Sequence, residues 1–135
     1  METINKVIFT NGCFDIIHVG HIRLLEFAKT LGSKLVVGLN SDVSIKRLKG
    51  LERPINNQTD RAVLLSAIKY VDEVIIFEED TPYDLITLIK PDIIVKGGDY
   101  TYDTIIGKEY CKEIKIFKTL QGYSTTNIIN KSKST

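Results

Sequence analysis

Histidine is scarce in this chain of 135 residues: there are two, His18 and His21. That scarcity argues against a catalytic zinc site, which as a rule takes three protein ligands. Only Cys13, Cys111 or a carboxylate remains to supply a third. The two cysteines do not form a CxxC, so a thiol-redox centre of that kind is disfavoured. Charge of one sign is lacking as well. The net charge is +1, and no basic field points to nucleic acid. The run of aromatics interleaved with Lys and Arg that an RNA-recognition sheet requires is missing. No apolar run approaches the roughly 20 residues that span a bilayer. Met1 to Lys6 is polar and short, so no signal peptide is read there. A cytoplasmic protein with two free thiols is expected, with neither a membrane nor a nucleic acid as partner.

The remaining composition is that of one globular domain, residues 1–135, with a polar tail from about Lys131 expected to fray. About 43% of residues are hydrophobic and 26% charged, enough for one sizeable core. The most informative stretch runs from Phe9 to His21. Val7-Ile8-Phe9 reads as a buried strand, and Thr10 to Gly12 as a turn. Ile22 to Leu31 reads as a helix with Leu24, Leu25, Phe27, Ala28 and Leu31 on one side. The histidines therefore stand where a strand end meets a helix start. In an open parallel sheet that is where ligands bind. Helix N-termini also favour anions, and Gly20 permits close approach of a ligand to the backbone.

Further along, strands and helices alternate. Lys34 to Leu39 reads as a strand, and Asn40-Ser41-Asp42 caps a short helix carrying Lys46, Arg47 and Lys49. With Arg53 these cations form a basic cluster beside the motif loop, suited to phosphates. Asn57 or Thr59 caps the next helix, whose expected buried stripe is Val63, Leu64, Ala67, Ile68 and Val71. Arg61 lies in its first turn, where a cation opposes the helix dipole; a ligand or a carboxylate partner is the expected reason. Val74 to Phe77 is a strand. Thr81-Pro82-Tyr83-Asp84 opens a helix with Pro82 at its first position, and Pro91 ends it. Asp92 to Val95 leads into Lys96-Gly97-Gly98-Asp99, where Asp99 suits sugar hydroxyls or a base edge. Thr104 to Cys111 reads as a short helix and Glu113 to Phe117 as the fifth strand. Ser124 caps a last helix. The fold class is α/β, a doubly wound, Rossmann-like sheet of five parallel strands.

The strings His18-Val19-Gly20-His21 and Gly122-Tyr123-Ser124-Thr125-Thr126 together resemble the two signatures of the HxGH nucleotidyltransferase superfamily, in its cytidylyltransferase-like branch. The resemblance covers nearly the whole chain. Phe9 to Asp15, Gly38 to Asp42, Arg53 to Asn56, Val95 to Tyr100 and Gly122 to Ile129 look most like the adenylyltransferase domain of the ADP-heptose synthases. The late motif lacks the Arg-Thr-x-Gly opening of the glycerol-3-phosphate cytidylyltransferases, since Thr119 stands in Lys118-Thr119-Leu120-Gln121-Gly122.

The resemblance implies a sheet order of 3-2-1-4-5 and transfer of AMP from ATP to D-glycero-D-manno-heptose 1-phosphate. The alternative is a CTP-dependent glycerol-3-phosphate or related polyol-phosphate enzyme. His18, His21 and Lys46 are the expected catalytic residues. Asn11, Gly12, Cys13, Phe14, Asp15, Gly20, Arg61, Gly98, Gly122, Tyr123, Ser124, Thr125 and Thr126 join the histidines as the nucleotide site. Asn40, Asp42, Lys46, Lys49 and Asp99 are the expected acceptor site. Mg²⁺ is the expected cofactor, held mainly by phosphates. The family is often dimeric, so a homodimer is the expected assembly. A nucleotide-binding regulatory module without turnover is the rival from another class, and intact histidines and hydroxyl cluster speak against it.

Overall fold

The computed structural model describes residues 5–98 and 104–118. Its elements in chain order are β1 (Val7–Gly12), α1 (Val19–Thr30), β2 (Lys34–Asn40), α2 (Asp42–Lys49), α3 (Gln58–Ser66), β3 (Glu73–Phe77), α4 (Tyr83–Ile89), β4 (Ile93–Gly97) and β5 (Glu113–Phe117). The strands form one all-parallel sheet in the order β3-β2-β1-β4-β5. This is the doubly wound architecture expected from the alternation of elements.

Both faces of the sheet are covered, so the central strands are apolar on both sides. On one face Ile8, Leu35, Val37, Leu39, Ile93 and Val95 pack with Leu24, Leu25 and Ala28 of α1 and Leu65 of α3. On the other, Phe9, Val36 and Ile94 pack with Ile86 of α4 and with Ile105. Gly38 of β2 is required there: a Cβ would lie 2.8 Å from the Phe9 ring. Two carboxylates tie strand starts together, with Asp92 Oδ2 accepting from the Val7 amide at 2.8 Å and Asp72 Oδ2 from the Leu35 amide at 2.7 Å.

The register explains where the sheet opens. β1 pairs with β2 along its length, from Val7↔Lys34 to Gly12↔Leu39. With β4 it pairs only at Ile8↔Ile93 and Phe9↔Ile94. Past Phe9 the two strands part, at the position where the strand order reverses. A crevice forms there between the ends of β1 and β4.

Four local expectations are corrected. Thr10 to Gly12 is strand and not turn, because pairing with β2 continues through Gly12↔Leu39. Pro82 is the residue preceding α4 and not its first helical residue. The helix expected over Thr104 to Cys111 reduces to a 3₁₀ turn at Lys108–Tyr110, since Gly107 takes a left-handed φ of 84° that interrupts it. In α3 the buried residues are Arg61 and Leu65, whereas Val63 and Leu64 are 62% and 48% exposed. The buried side chain of Arg61 draws its own face of the helix inward and turns Val63 and Leu64 to solvent.

That rotation is measurable. Leu65→Ala removes a fully buried side chain and is expected to cost about 2–5 kcal/mol. Val63→Ala is expected to cost about 0.5 kcal/mol or less. Chemical denaturation of both variants checks the difference, and equal losses would contradict the packing.

Candidate active site

The site begins with how α1 starts. His18 is its N-cap, with extended backbone (φ −136°, ψ 177°). Its Nδ1 accepts from the Gly20 amide at 3.1 Å, and His21 Nδ1 accepts from the His18 amide at 3.2 Å. The pair forms a capping box in which histidines do what Ser and Glu do elsewhere. The two rings stack, with centroids 3.9 Å apart and planes at 24°. Since each Nδ1 is an acceptor, each neutral ring carries its proton on Nε2. Burial pushes both imidazoles below the usual value, and His21 falls to about 3 with the His18 ring and Lys49 adding to the effect. The histidines are therefore neutral Nε2–H donors at physiological pH, narrowing the sequence expectation that either protonation state would serve.

The loop before them is held from below. Asp15, 1% exposed, accepts from Arg53 Nε at 2.9 Å, from the Ile55 amide at 2.8 Å and from the Asn56 amide at 2.9 Å. Burial alone would raise this carboxyl; the Asn56 and Ile55 amides and the Arg53 guanidinium outweigh it and hold it below its ordinary value. Arg61 is fully buried. Its Nη1 donates to the carbonyls of Cys13 (2.8 Å) and Asn40 (2.7 Å), its Nε to Asn56 O (2.9 Å) and its Nη2 to Asp42 Oδ1 (2.7 Å). These bonds join the ends of β1 and β2 from beneath.

Above them lies a cavity of about 360 Å³, within the range of small-molecule sites. Of the residues expected to bind ligand, the structure brings Asn11, Gly12, Cys13, Phe14, His21, Asn40 and Lys49 to its wall. His18 stands behind His21 in the stack. Phe14 is a non-glycine residue at φ 46°, a local strain that aims its ring at His21, centroids 5.0 Å apart.

Other expected residues stand elsewhere. Asp15, Arg61 and Asp42 are engaged with the scaffold and are not on the wall of this cavity; Asp42 is the carboxylate partner that Arg61 called for. The Gly20 amide is taken by the His18 ring. Lys46 is exposed and off the cavity wall, one helical turn from the position of Lys49. Arg47 pairs with Asp80 at 2.9 Å and bonds the Glu78 carbonyl. Gly98 takes φ 89° and its amide donates to Phe117 O at 3.1 Å. Asp99, Gly122, Tyr123, Ser124, Thr125 and Thr126 lie outside the described residues.

One lysine was passed over by the sequence reading. Lys96, near the end of β4, lines the cavity and donates to Asn11 Oδ1 at 2.7 Å across the opened seam. Burial pushes it down to about 8, against the opposing influence of Cys13. The signal was present: a charged residue directly follows the apolar run Ile93-Ile94-Val95 and precedes two glycines. The Cys13 thiol is raised by burial and stays protonated despite nearby cations. Cys13 and Cys111 are both unbridged.

A family model for cytidylyltransferase-like proteins matches residues 9–135. The chain belongs to the cytidylyltransferase-like family of nucleotidyltransferases. Relatives include the bifunctional protein HldE of Campylobacter fetus, 58% identical over 94% of this chain, and that of Nitratiruptor sp., 54% identical over 96%. The HldE of Helicobacter pylori strain 26695 is 55% identical over 100% of the chain. The chain spans 28–30% of the length of these relatives. Among solved structures, the lipopolysaccharide core biosynthesis protein from Thermoplasma volcanium superposes with a TM-score of 0.69 at 34% identity, covering 85% of this chain and 96% of that one. A protein of unknown function from Archaeoglobus fulgidus shares the fold alone, at a TM-score of 0.55 and 18% identity. Among the described residues of this family member, no helix is long and apolar enough to cross a membrane.

The depressed histidines give a pH dependence of stability. Above about pH 6.5 the imidazoles are neutral in folded and unfolded chains alike. Below it the unfolded chain gains protons that the folded chain refuses, so stability falls as pH drops toward the folded pKa of about 3 for His21. The melting temperature is expected to fall between about pH 7 and pH 5, above the range in which Asp15, Asp72 and Asp92 titrate. His21→Asn, which keeps an acceptor for the His18 amide, is expected to flatten that slope. Calorimetric scans across the interval check both, and an unchanged slope would count against a buried neutral His21.

Proposed function

We propose that this chain transfers AMP from ATP to D-glycero-D-manno-heptose 1-phosphate, giving ADP-heptose and pyrophosphate. The observation that carries the chemistry is the stacked histidine pair at the head of α1, with both Nε2–H groups defined by the Nδ1 bonds. The choice of substrates rests on the motif strings and on similarity to the HldE proteins and to a lipopolysaccharide core biosynthesis protein. In the proposed reaction an oxygen of the acceptor's phosphate attacks the α-phosphorus of ATP. A new P–O bond forms, and the bond to the β-phosphate bridging oxygen breaks. A phosphate oxygen is nucleophilic near neutral pH without a strong base, so catalysis rests on positioning and on charge stabilisation. Neutral imidazoles that donate from Nε2 stabilise the charge gathering on the phosphoryl oxygens without repelling a Mg²⁺-bound substrate. Lys49 adds a cation on the cavity wall. The Gly122 to Thr126 hydroxyl motif is proposed to hold the β- and γ-phosphates.

Mg²⁺ fits this donor set as a companion of the triphosphate. Among the described residues no three His, Cys, Asp or Glu side chains converge on one point, and Asp15 is committed to Arg53 and two amides. The ion would be held by phosphate oxygens and water, and when bound it neutralises phosphate charge. The proposal takes the enzyme as a cytoplasmic homodimer whose partners are a nucleoside triphosphate and a sugar phosphate.

Purified protein is expected to release pyrophosphate from ATP with heptose 1-phosphate, and much less from CTP with glycerol 3-phosphate. The reverse preference would replace this reading with the polyol-phosphate cytidylyltransferase. In the same assay, His18→Ala and His21→Ala are each expected to lower turnover by about 10²–10³-fold. Because each ring also caps α1, a stability loss of about 1 kcal/mol accompanies either change. Near-normal turnover in either variant would remove that ring from the chemistry.

A further inference from the structure

A second cavity, of about 150 Å³, adjoins the first. Asn11, Asp80 and Lys96 line both, so these three side chains form the wall the cavities share. The rest of the smaller one comes from Thr81 and Pro82 before α4 and from residues 104–106. It occupies the far side of the seam that opens where β1 and β4 stop pairing.

The chemistry of the two linings differs in a way that sorts the substrates. Beyond the shared Asp80 and Lys96, the larger cavity carries Lys49 and also His21 at the head of α1, a surface for a polyanion. In the smaller, among the described residues, Lys96 is the cation and Asp80 the carboxylate; Thr81 and Thr104 supply hydroxyls, and Pro82, Ile105 and Ile106 supply apolar surface. Asp80, on the shared wall, is already paired with Arg47; what the smaller cavity lacks, among the described residues, is Lys49, so the second lining cation for a triphosphate lies in the larger one. A neutral, hydroxyl-rich body with one anionic end matches better. Its hydroxyls would face Asp80 and the threonines, its C–H faces would lie on Pro82 and Ile106, and its phosphate would sit at Lys96.

We propose that the smaller cavity is the acceptor subsite and that the Lys96 ammonium binds the phosphate of a sugar 1-phosphate at the wall between the cavities. This rests on the nucleotidyl-transfer reading above. It also moves the acceptor away from Asp42 and Lys46, two of the five residues, with Asn40, Lys49 and Asp99, first expected to hold it. In that position the attacking phosphate oxygen enters from the side of β4 and meets the α-phosphate lying over β1 and α1. A cation between two phosphates offsets the repulsion that otherwise opposes their approach. Asn11 Oδ1 accepts from Nζ at 2.7 Å and helps to orient the ammonium. The burial that lowers this lysine to about 8 also strengthens its attraction for an anion that excludes water.

Two variants test the assignment, read by steady-state kinetics for the sugar 1-phosphate and by calorimetric binding of a non-hydrolysable ATP analogue. Lys96→Met is expected to raise the acceptor KM by about tenfold or more and, because Lys96 also lines the larger cavity, to weaken binding of the ATP analogue by a clearly smaller factor. Lys96→Arg is expected to recover part of the loss. Ile106, 43% exposed, tolerates a larger side chain, and Ile106→Trp is expected to raise the acceptor KM with ATP affinity retained. This second variant decides the matter if Lys96→Met fails to fold. Loss of ATP affinity equal to the loss for the acceptor in Lys96→Met would give the ammonium to the nucleotide and overturn the proposal. An unchanged acceptor KM in Ile106→Trp would overturn it too. If the wild-type protein releases pyrophosphate with no sugar phosphate, the functional reading itself fails, a result visible before any variant is compared.

Discussion

The Arg61 guanidinium is fully enclosed, and three segments far apart in sequence depend on it. A buried charge is costly unless its donors are matched. Here they are matched by three carbonyls and a carboxylate: Cys13 O, Asn40 O, Asn56 O and Asp42 Oδ1. Each of those acceptors sits at the C-terminal edge of the sheet or in the loop beneath the motif. Carbonyls there have outrun the β ladder and would otherwise be left without a donor. One side chain thus satisfies the frayed ends of β1 and β2 and fixes their separation. The cavity floor is a consequence of that separation.

Asp15 repeats the arrangement with opposite sign. It gathers the Arg53 guanidinium and the amides of Ile55 and Asn56, so the loop after α2 is drawn under the loop after β1. With both loops anchored, the entry into α1 has little freedom left. His18 and His21 then cap the helix with their own rings, and the same bonds that cap it decide the tautomer. Different nitrogens of the same imidazoles carry separate tasks: Nδ1 accepts the bond that holds the helix, and Nε2 keeps the proton. Protonation of either ring at Nδ1 would remove the acceptor that caps the helix, and burial keeps both rings neutral.

The open seam between β1 and β4 shapes the crevice as Arg61 shapes the scaffold. Pairing stops after Phe9↔Ile94, so side chains that would lie against a neighbouring strand lean into a crevice instead. Asn11 and Lys96 meet there across the gap. The result is a wall with a cation on it, reached from two sides.

Much of this was legible in the chain itself, for a physical reason: helix periodicity, strand alternation and caps are local. The apolar run of β2, the Ser41 and Asn57 caps and the His-x-Gly-His spacing are set by neighbours within a few residues, and all five strands, the sheet order implied by the motif resemblance and the family follow from them. The exposure of Val63 and Leu64, the choice between a ligand and a carboxylate as the partner of Arg61, and which of the expected Lys46 and Lys49 reaches the cavity wall were not legible. Lys96 carried a local signal, a charge directly after an apolar run, but its meeting with Asn11, 85 positions away, did not show in the sequence. Protonation belongs to the same class, since a histidine three residues from another is ordinary until burial lowers both. What the sequence determined alone was the order of elements and the kind of chemistry its motifs allow. Only the tertiary structure decided which polar side chains hold the frame and which face the crevice, because desolvation and hydrogen-bond partners are properties of segments brought together from a distance.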